Sequence, residues 1–315
     1  MVEWRHLPPA TAMFRPVSLF SLVLLLLCYV PGIGKRVNGQ TRWIGFAGFT
    51  FQPSELAKLA MVIFMADILD KKRDQLRSFT TGFLPAAFIA GIFLLAIVLE
   101  EDLGATFVLG LVIWLMWYVA GMRLSHLLSL VFMAIPALAF MLLSSEWRMM
   151  RLLAFIDLET HARGFGMQLN QSLIAIGSGG VFGRGLGHGL QKYDYLFEGH
   201  TDFIFANIGE ELGLVGCLSV IAVFLIIVSV GFITALRMPD FFGSLLACGI
   251  SLMIGIPALV NMAVVLGLAP TKGLPLPFIS YGGSQILVNM AAIGILMNIT
   301  HHRQRLHGRR VPRSG

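Results

Sequence analysis

The chain has 315 residues, of which 57% are hydrophobic and only 13% are charged, with a mean hydropathy of +0.80. Soluble domains average ~25% charged residues. This composition therefore excludes an ordinary soluble domain and predicts a polytopic membrane protein. The formal net charge is +6, but basic residues of membrane proteins gather in cytoplasmic loops. The charge therefore predicts no nucleic-acid partner.

Apolar segments recur along the chain, and each is long enough to span a bilayer, which takes ~20 residues. About eight such segments cover residues 12–31, 54–70, 80–100, 103–121, 124–143, 202–236, 241–266 and 283–300. The predicted fold class is all-α: a membrane helix bundle of about eight transmembrane helices, formed by a single domain over residues 1–315.

Short basic loops predict the orientation of the chain in the membrane. KKRDQLR at 71–77 and HHRQRLHGRR at 301–310 lie on one side if the amino terminus is inside. Since basic loops stay in the cytoplasm, both termini are predicted to be cytoplasmic, with residues 301–315 as a basic tail. The opposite, outer face receives a large extracytoplasmic loop at 144–201, in which EWRMMRLLAFI and LNQSLIAIG predict ordered interfacial helices.

Three polar residues on the outer face have local explanations. Glu55 and Lys58 stand at i,i+3 in the first turn of a helix that begins near Pro53, so they are predicted to pair. The pair either neutralises itself and fixes helix packing or serves a substrate. Asp102 precedes an apolar segment at Leu103, which predicts a helix cap.

The stretch HTDFIFANIGEELG brings acidic residues into an apolar segment. Asp202 is predicted at the water boundary, with Glu210 and Glu211 deeper on the same helix. Partial desolvation makes a carboxylate a stronger base, which suits general-base catalysis, while an N-cap is the alternative for Asp202. Glu210 and Glu211 are too deep for a water-borne reactant and are predicted to pair with polar groups of neighbouring helices.

Basic residues on the outer face predict a site for an anionic, lipid-linked substrate. These cations are Arg42, Arg184, Lys192 and Lys272. GLPLPFISYGG, which follows Lys272, cannot continue a helix, and broken backbone near a membrane is tolerated where it is buried in protein or lines a wet cavity. The glycine-rich stretch GSGGVFGRGLGHG fits neither phosphate-loop pattern, so no nucleotide site is predicted there.

Several of these stretches resemble the motifs of the SEDS family, the shape, elongation, division and sporulation proteins. They are VNGQTRWI, FQPSELAKLA, QSLIAIGSGGVFGRGLG, HTDFIFANIGEELG and PTKGLPLPFISYGGS, and they follow the family's order from about residue 30 to about residue 300. PTKG and ILVNM are more similar to the cell-division member of the family than to the rod-shape member. The family has additional helices before residue 1, so the resemblance implies a chain that is short at its amino end.

The resemblance implies a function for the chain. It implies a peptidoglycan glycosyltransferase that polymerises lipid II into glycan strands during division, at the outer face of the bacterial cytoplasmic (inner) membrane. The implied partners are lipid II, the growing strand, a class B penicillin-binding transpeptidase, divisome proteins and membrane lipid. Two alternatives stay open: a flippase for the lipid-linked precursor, and a non-catalytic scaffold for the transpeptidase.

The family's functional residues carry over onto matching positions. Asp202 in HTDF is implied to be the catalytic aspartate, acting as general base. Four further matches are implied to bind substrate: Arg42 in TRW, Glu55 and Lys58 in PSELAK, and Lys272 in TKG. Gln171 in QSL and the outer-face cations Arg184 and Lys192 are also predicted to bind substrate. No cofactor is certain. A divalent cation could help to bind diphosphate, although no ligand cluster demands one.

The chain departs from the family pattern at two places near these residues. Glu100 and Glu101 stand before Asp102 where the family reads Gln-Pro, so an extra negative charge replaces a proline. Phe197, Glu198 and Gly199 stand where the family reads Pro-Glu-Ala.

Overall fold

The computed structural model describes residues 10–30, 32–37, 40–46, 49–162, 164–190 and 201–308. Helices dominate this part of the chain. In chain order they are α1 (Ala10–Leu27), α2 (Pro53–Lys71), α3 (Leu84–Leu99), α4 (Leu103–Val119), α5 (Leu124–Leu143), α6 (Glu146–Ile156), α7 (Leu158–His161), α8 (Met167–Gly179), α9 (Ile204–Arg237), α10 (Phe241–Val265) and α11 (Gly283–Gly308). A 3₁₀ turn at Arg73–Gln75 and a π-helical turn at Phe79–Phe83 join α2 to α3.

The predicted helical membrane fold is confirmed. Within the described residues, five helical segments are long and apolar enough to cross a membrane: Phe79–Leu99, Leu124–Leu143, Ile204–Arg237, Phe241–Val265 and Gly283–His301. The shorter apolar helices Pro16–Leu27 and Leu103–Val119 match two further predicted segments. Each predicted segment coincides with a helix, while the number that span the membrane stays a prediction.

One helix differs from its predicted segment in two respects. The segment predicted over 202–236 begins as helix α9 at Ile204, so Asp202 lies outside the helix. The helix is also interrupted at Gly213, whose φ of 65° and ψ of −159° are not helical. Positions with positive φ strongly favour glycine, because glycine has no Cβ. Glycine at position 213 therefore allows the helix to be interrupted here.

A small antiparallel sheet precedes α2 and was not predicted from the sequence. Its strands are β1 (Gly34–Val37), β2 (Gln40–Phe46) and β3 (Phe49–Phe51), in the order β1-β2-β3. The register pairs Lys35 with Trp43 and Ile44 with Phe51. Aromatic and β-branched residues favour this pleated arrangement.

The chain divides into two compact units, and each is described by itself. Unit 1 comprises residues 1–127, 228–254 and 283–315, and unit 2 comprises residues 128–227 and 255–282. The single membrane domain with a basic cytoplasmic tail stays a prediction.

Helix α2 is the centre of unit 1. Its side chains Met61, Met65 and Leu69 are fully buried, and it packs against α1, α3, α4 and α11. Gly249 of α10 allows a close approach, since a Cβ at this position would lie 2.6 Å from Val62 Cγ1 and 2.8 Å from Met116 Sδ. Tight helix contacts through small residues are typical of membrane proteins.

Unit 2 contains the long segment between α5 and α9. The prediction of ordered helices in this loop is confirmed, because EWRMMRLLAFI forms α6 and LNQSLIAIG lies in α8. Ser172 of α8 is fully buried, and its hydroxyl donates to the carbonyl of Val265 at the end of α10 over 2.8 Å. This bond anchors α8 beside the irregular chain that follows α10.

Candidate functional site

Asp202 lies in the turn directly before α9, and its side chain is half-buried. Because the helix begins at Ile204, Phe203 rather than Asp202 precedes it. The carbonyl of Asp202 accepts a hydrogen bond of 2.7 Å from Asn261 Nδ2. Its carboxylate lies against Gly273, where an added Cβ would come within 2.5 Å of Asp202 Oδ2. Asp202 is therefore held by the segment that carries the TKG motif.

The stretch from Leu266 to Gly282 is irregular, as predicted from its prolines. No helix or strand forms within this described stretch, and Phe278 has a φ of 65°. Ser280, which is fully buried, stabilises the stretch internally by accepting from the Leu276 amide over 2.7 Å. Ser280 Oγ also donates to the carbonyl of Thr201, the residue before Asp202, over 2.5 Å. The predicted backbone break therefore surrounds the candidate aspartate.

Two other predicted residues, Lys272 and Gln171, lie in the described part of unit 2. Lys272 is half-buried and immediately precedes Gly273, so it shares the Asp202 neighbourhood. Gln171 is half-buried on α8, beside Ser172. Lys192 lies outside the described residues.

The glycine-rich stretch forms hydrogen bonds with Glu210 and Glu211 of α9. Gly187 N donates to Glu211 Oε2 and Leu190 N donates to Glu210 Oε1, both over 2.9 Å. Arg184 Nη1 lies 3.3 Å from Glu210 Oε1, and the Glu210 side chain is 1% exposed. Both glutamates pair with polar groups, as predicted, but these groups lie in an irregular stretch of chain and not on a neighbouring helix. Arg184, predicted to bind substrate, forms an ion pair within the protein.

Glycines make this contact possible. Where α9 breaks at Gly213, an added Cβ would lie 2.4 Å from Gly183 N, and at Gly183 it would lie 2.1 Å from the carbonyl oxygen of Glu211. The amides of Arg184 and Gly185 donate to the carbonyls of Glu210 and Glu211, each over 3.0 Å. We name this arrangement the glycine clasp: residues 179–190 bound to residues 209–215.

In unit 1, Glu55 and Lys58 form the predicted ion pair. Lys58 Nζ lies 2.8 Å from Glu55 Oε1, and the two side chains are 9% and 8% exposed. Pro53 and Glu55 occupy the first turn of α2, where a proline and an acid favour helix formation. Because the pair is buried, removal of either charge would leave the other one uncompensated.

Arg42 of β2 binds the turn between α3 and α4. Its Nε donates to the Glu100 carbonyl over 3.1 Å, Nη2 donates to the Glu101 carbonyl, and Nη1 lies 3.8 Å from Asp102 Oδ2. The predicted helix cap is confirmed, because Asp102 Oδ1 accepts from Ala105 N over 3.0 Å. Arg42 therefore stabilises a turn within the protein, and its side chain is 23% exposed.

The same turn contains the departure from the family pattern. Glu101 has a φ of 61°, which a proline ring cannot adopt. Glu100 is 2% exposed, and its carboxylate oxygens have no nitrogen or oxygen donor among the described residues. Burial raises the pKa of Glu100 to about 8, while the Cys28 thiol and Arg42 oppose this shift and Asp102 adds to it.

Sequence reasoning missed Asn261, Ser280 and Gly273. Asn261 was detectable, because a polar residue inside an apolar membrane segment is a functional candidate by default. Among the described residues, no group of three or more His, Cys, Asp or Glu side chains could hold a metal ion. A divalent cation stays a prediction.

Comparison with known proteins extends over nearly the whole chain. The family model described as "Cell cycle protein" (FTSW_RODA_SPOVE) matches residues 7–305. The chain is 47% identical over 285 residues to a probable peptidoglycan glycosyltransferase FtsW of Geobacter sulfurreducens, which covers 90% of this chain and 76% of that protein. It is 40% identical over 279 residues to the stage V sporulation protein E of Bacillus subtilis, covering 89% and 76%.

Solved structures share the fold. One, described as "Structural coordination of polymerization and crosslinking by a peptidoglycan synthase complex", has a TM-score of 0.80 and 26% identity, covering 96% of this chain and 84% of that one. The crystal structure of the rod shape determining protein RodA of Thermus thermophilus has a TM-score of 0.66 and 27% identity, covering 93% and 80%. The chain is a multi-pass membrane protein that belongs to the FtsW/RodA/SpoVE family of cell cycle proteins.

Proposed function

We propose that this chain is a peptidoglycan glycosyltransferase that polymerises lipid II into glycan strands, with Asp202 as its general base. One observation carries the proposal: the half-buried Asp202 carboxylate is held against Gly273, directly beside Lys272. A carboxylate and a cation on neighbouring pieces of chain suit a reaction that removes a proton and releases an anion. Relatives that match most of this chain bear the name of this activity.

The proposed reaction is an inverting displacement. Asp202 accepts the proton of the 4-hydroxyl on the acceptor lipid II sugar. The hydroxyl oxygen forms a bond to the anomeric carbon of the growing strand, and the bond from that carbon to the diphosphate oxygen breaks. The electron pair leaves with the polyprenyl diphosphate.

Lys272 has the complementary role in this proposal. The leaving diphosphate gains negative charge as its bond to the anomeric carbon breaks, and a fixed cation stabilises charge that develops in the transition state. Gln171 and Arg184, which also belong to unit 2, are proposed to bind substrate as well. Arg42, Glu55 and Lys58 belong to unit 1 and are also proposed to bind substrate.

The proposed location is the bacterial cytoplasmic membrane, with both termini in the cytoplasm and Asp202 on the outer side. The basic residues at 71–77 and 301–310 support this orientation. A class B transpeptidase is the proposed partner, supported by the structural similarity to a chain of a peptidoglycan synthase complex. The role in division is supported by the FtsW relatives.

The test is lipid II polymerisation in detergent with the transpeptidase present, comparing the parent with Asp202→Asn. Loss of a general base typically costs ~10²–10⁴-fold in rate, so the variant should form almost no strands while its elution profile and Tm match the parent. Strands from Asp202→Asn at the parent rate would reject Asp202 as the base.

The same assay separates the alternatives, because detergent micelles have no second leaflet. A flippase or a scaffold would form no strands in micelles, whichever residue stands at position 202. Movement of labelled lipid II between leaflets of sealed vesicles by a parent that makes no strands would replace this proposal with the flippase function.

A further inference from the structure

The side-chain amide of Asn261, in helix α10, forms two hydrogen bonds with distant parts of the backbone. Both protons of its amide go to backbone carbonyls, one to Asp202 over 2.7 Å and one to Leu274 over 2.6 Å. Both acceptors are carbonyl oxygens, so only the nitrogen of the amide can face them. Asn261 therefore joins the turn that carries Asp202 to the segment that carries Lys272 and Gly273.

These bonds are sheltered from water. Asn261 is 2% exposed, and its Oδ1 is buried with no hydrogen-bond partner among the described residues. A buried, unsatisfied acceptor is costly, so the two bonds to carbonyls must offset that cost. Packing alone would be better served by an apolar residue of the same size.

Further contacts act on the same piece of chain. Ser280 donates to the carbonyl of Thr201, and Gly273 leaves space for the Asp202 carboxylate. Residues 201 and 202 are thus joined to the segment 273–280 at three adjacent points. Since the backbone of Asp202 is restrained from one side and its carboxylate from another, the position of the carboxylate is narrowly defined.

We propose that Asn261 is a positioning residue for catalysis, which holds Asp202 at a fixed distance from Lys272 by donating to the carbonyls of Asp202 and Leu274. This inference rests on the proposed role of Asp202 as general base. Misplacement of a catalytic group by about 1 Å can cost ~10²-fold in rate. Asn261 itself touches no reacting atom in this role.

The experiment compares three variants of the full chain in complex with the transpeptidase. Asn261→Ala removes both donors. Asn261→Asp keeps the shape of the side chain and replaces the donating nitrogen by an oxygen that repels the two carbonyls. Asn289→Ala is the matched control, because Asn289 is also a buried asparagine in a long helix, at 4% exposure, and its Nδ2 has no partner among the described residues.

We expect both Asn261 variants to lower kcat for lipid II polymerisation by ~10–100-fold, with KM within about twofold of the parent because substrate contacts stay. The acidic limb of the kcat–pH profile should also move, since the surroundings of the base change. Asn289→Ala should keep the parent kcat and profile. Parent kcat and an unchanged pH profile in either Asn261 variant would overturn the proposal.

Amide hydrogen exchange gives a readout that does not depend on activity. In Asn261→Ala, peptides covering residues 201–206 and 271–280 should exchange faster, while peptides from 241–254 should not change. Unchanged exchange in the first two peptides would overturn the positioning role. If the parent itself makes no strands, the proposed function fails, and the exchange result alone then decides whether Asn261 joins the two segments.

Discussion

The carboxylate of Asp202 lies against the bare α-carbon of Gly273, where a methyl group would come within 2.5 Å of Asp202 Oδ2. An unbonded carbon and oxygen cannot approach so closely. The carboxylate therefore occupies its position only because residue 273 has no side chain. The glycine of the TKG motif is thus a steric requirement of the aspartate of the HTDF motif.

Gly273→Ala should reduce activity more than stability. The added methyl group displaces the end of a flexible side chain, so we expect Tm to change by only about 2 °C. The displaced carboxylate should lower kcat for lipid II polymerisation by ~10–100-fold. Gly294→Ala is the control, because a Cβ at Gly294 meets nothing within 4 Å. Parent activity in Gly273→Ala would show that the base acts from another position.

The buried pair of Glu55 and Lys58 allows its two interpretations to be separated. Removing one partner from a buried ion pair costs ~3–5 kcal/mol because the other charge is left uncompensated. Lys58→Met and Glu55→Gln alone should therefore each lower Tm by several degrees. The double variant Glu55→Gln/Lys58→Met should recover much of that loss, because no buried charge remains.

Activity of this double variant then decides the role of the pair. If Lys58 binds the substrate, as the family resemblance implies, the recovered protein should still be inactive in lipid II polymerisation. A stable and fully active double variant would instead show that the pair only fixes helix packing. Lys71→Ala on the same helix is the control, since its pair with Asp67 is partly exposed, with the lysine side chain 41% exposed.

The glycine clasp should be sensitive to a single methyl group. Gly213→Ala puts a Cβ 2.4 Å from Gly183 N at a residue with a φ of 65°, so steric overlap and backbone strain act together. We expect the free energy of unfolding to fall by more than about 2 kcal/mol. The measurements are a lower Tm and faster proteolysis within residues 179–190. Gly177→Ala in α8, where a Cβ meets nothing within 4 Å, should behave as the parent. Equal Tm values for the two variants would refute the clasp.

The buried carboxyl group of Glu100 should make the stability of the protein depend on pH. Burial is the main reason that its pKa rises from 4.5 to about 8, so the folded protein binds a proton that the unfolded chain releases. The stability that Glu100 contributes is complete below about pH 4.5 and is lost as the pH rises through about 8.

Glu100→Gln should therefore raise Tm at pH 9 and change it little at pH 5. The gain at pH 9 should reach a few degrees, since each pKa unit corresponds to ~1.4 kcal/mol. Differential scanning fluorimetry in detergent at the two pH values measures it. The exposed neighbour provides a control: Glu101→Gln should give the same Tm difference from the parent at both pH values. An equal gain from Glu100→Gln at pH 5 would mean that charge is not the cause.

Local features of the chain were predictable because their causes lie within a few residues. The amphipathic pattern of EWRMMRLLAFI predicted α6 from Glu146 to Ile156, and the i,i+3 spacing predicted the Glu55–Lys58 pair. Asp102 was recognised as a helix cap from its place before an apolar segment. The sheet at 34–51 was missed, because strand pairing joins residues that only a turn brings together.

The glycine-rich stretch shows how a tertiary partner changes an interpretation. Arg184, which lies in this stretch, was predicted from the sequence to bind an anionic substrate. The structure provides the anions from α9 instead, with Arg184 and Glu210 separated by 26 residues. That pairing depends on a break in a helix at Gly213, which the apolar pattern of the segment does not reveal.

By itself the sequence determined the membrane class, the positions of the helices, the family and the candidate aspartate, because hydrophobic periodicity and short motifs are local properties. Only the tertiary structure decided what surrounds that aspartate. Asn261 lies 59 residues from Asp202 and 13 residues from Leu274, yet it binds both. Hydrogen bonds over such separations depend on how the whole chain folds, so the partners of Asn261 become visible only when the fold is known.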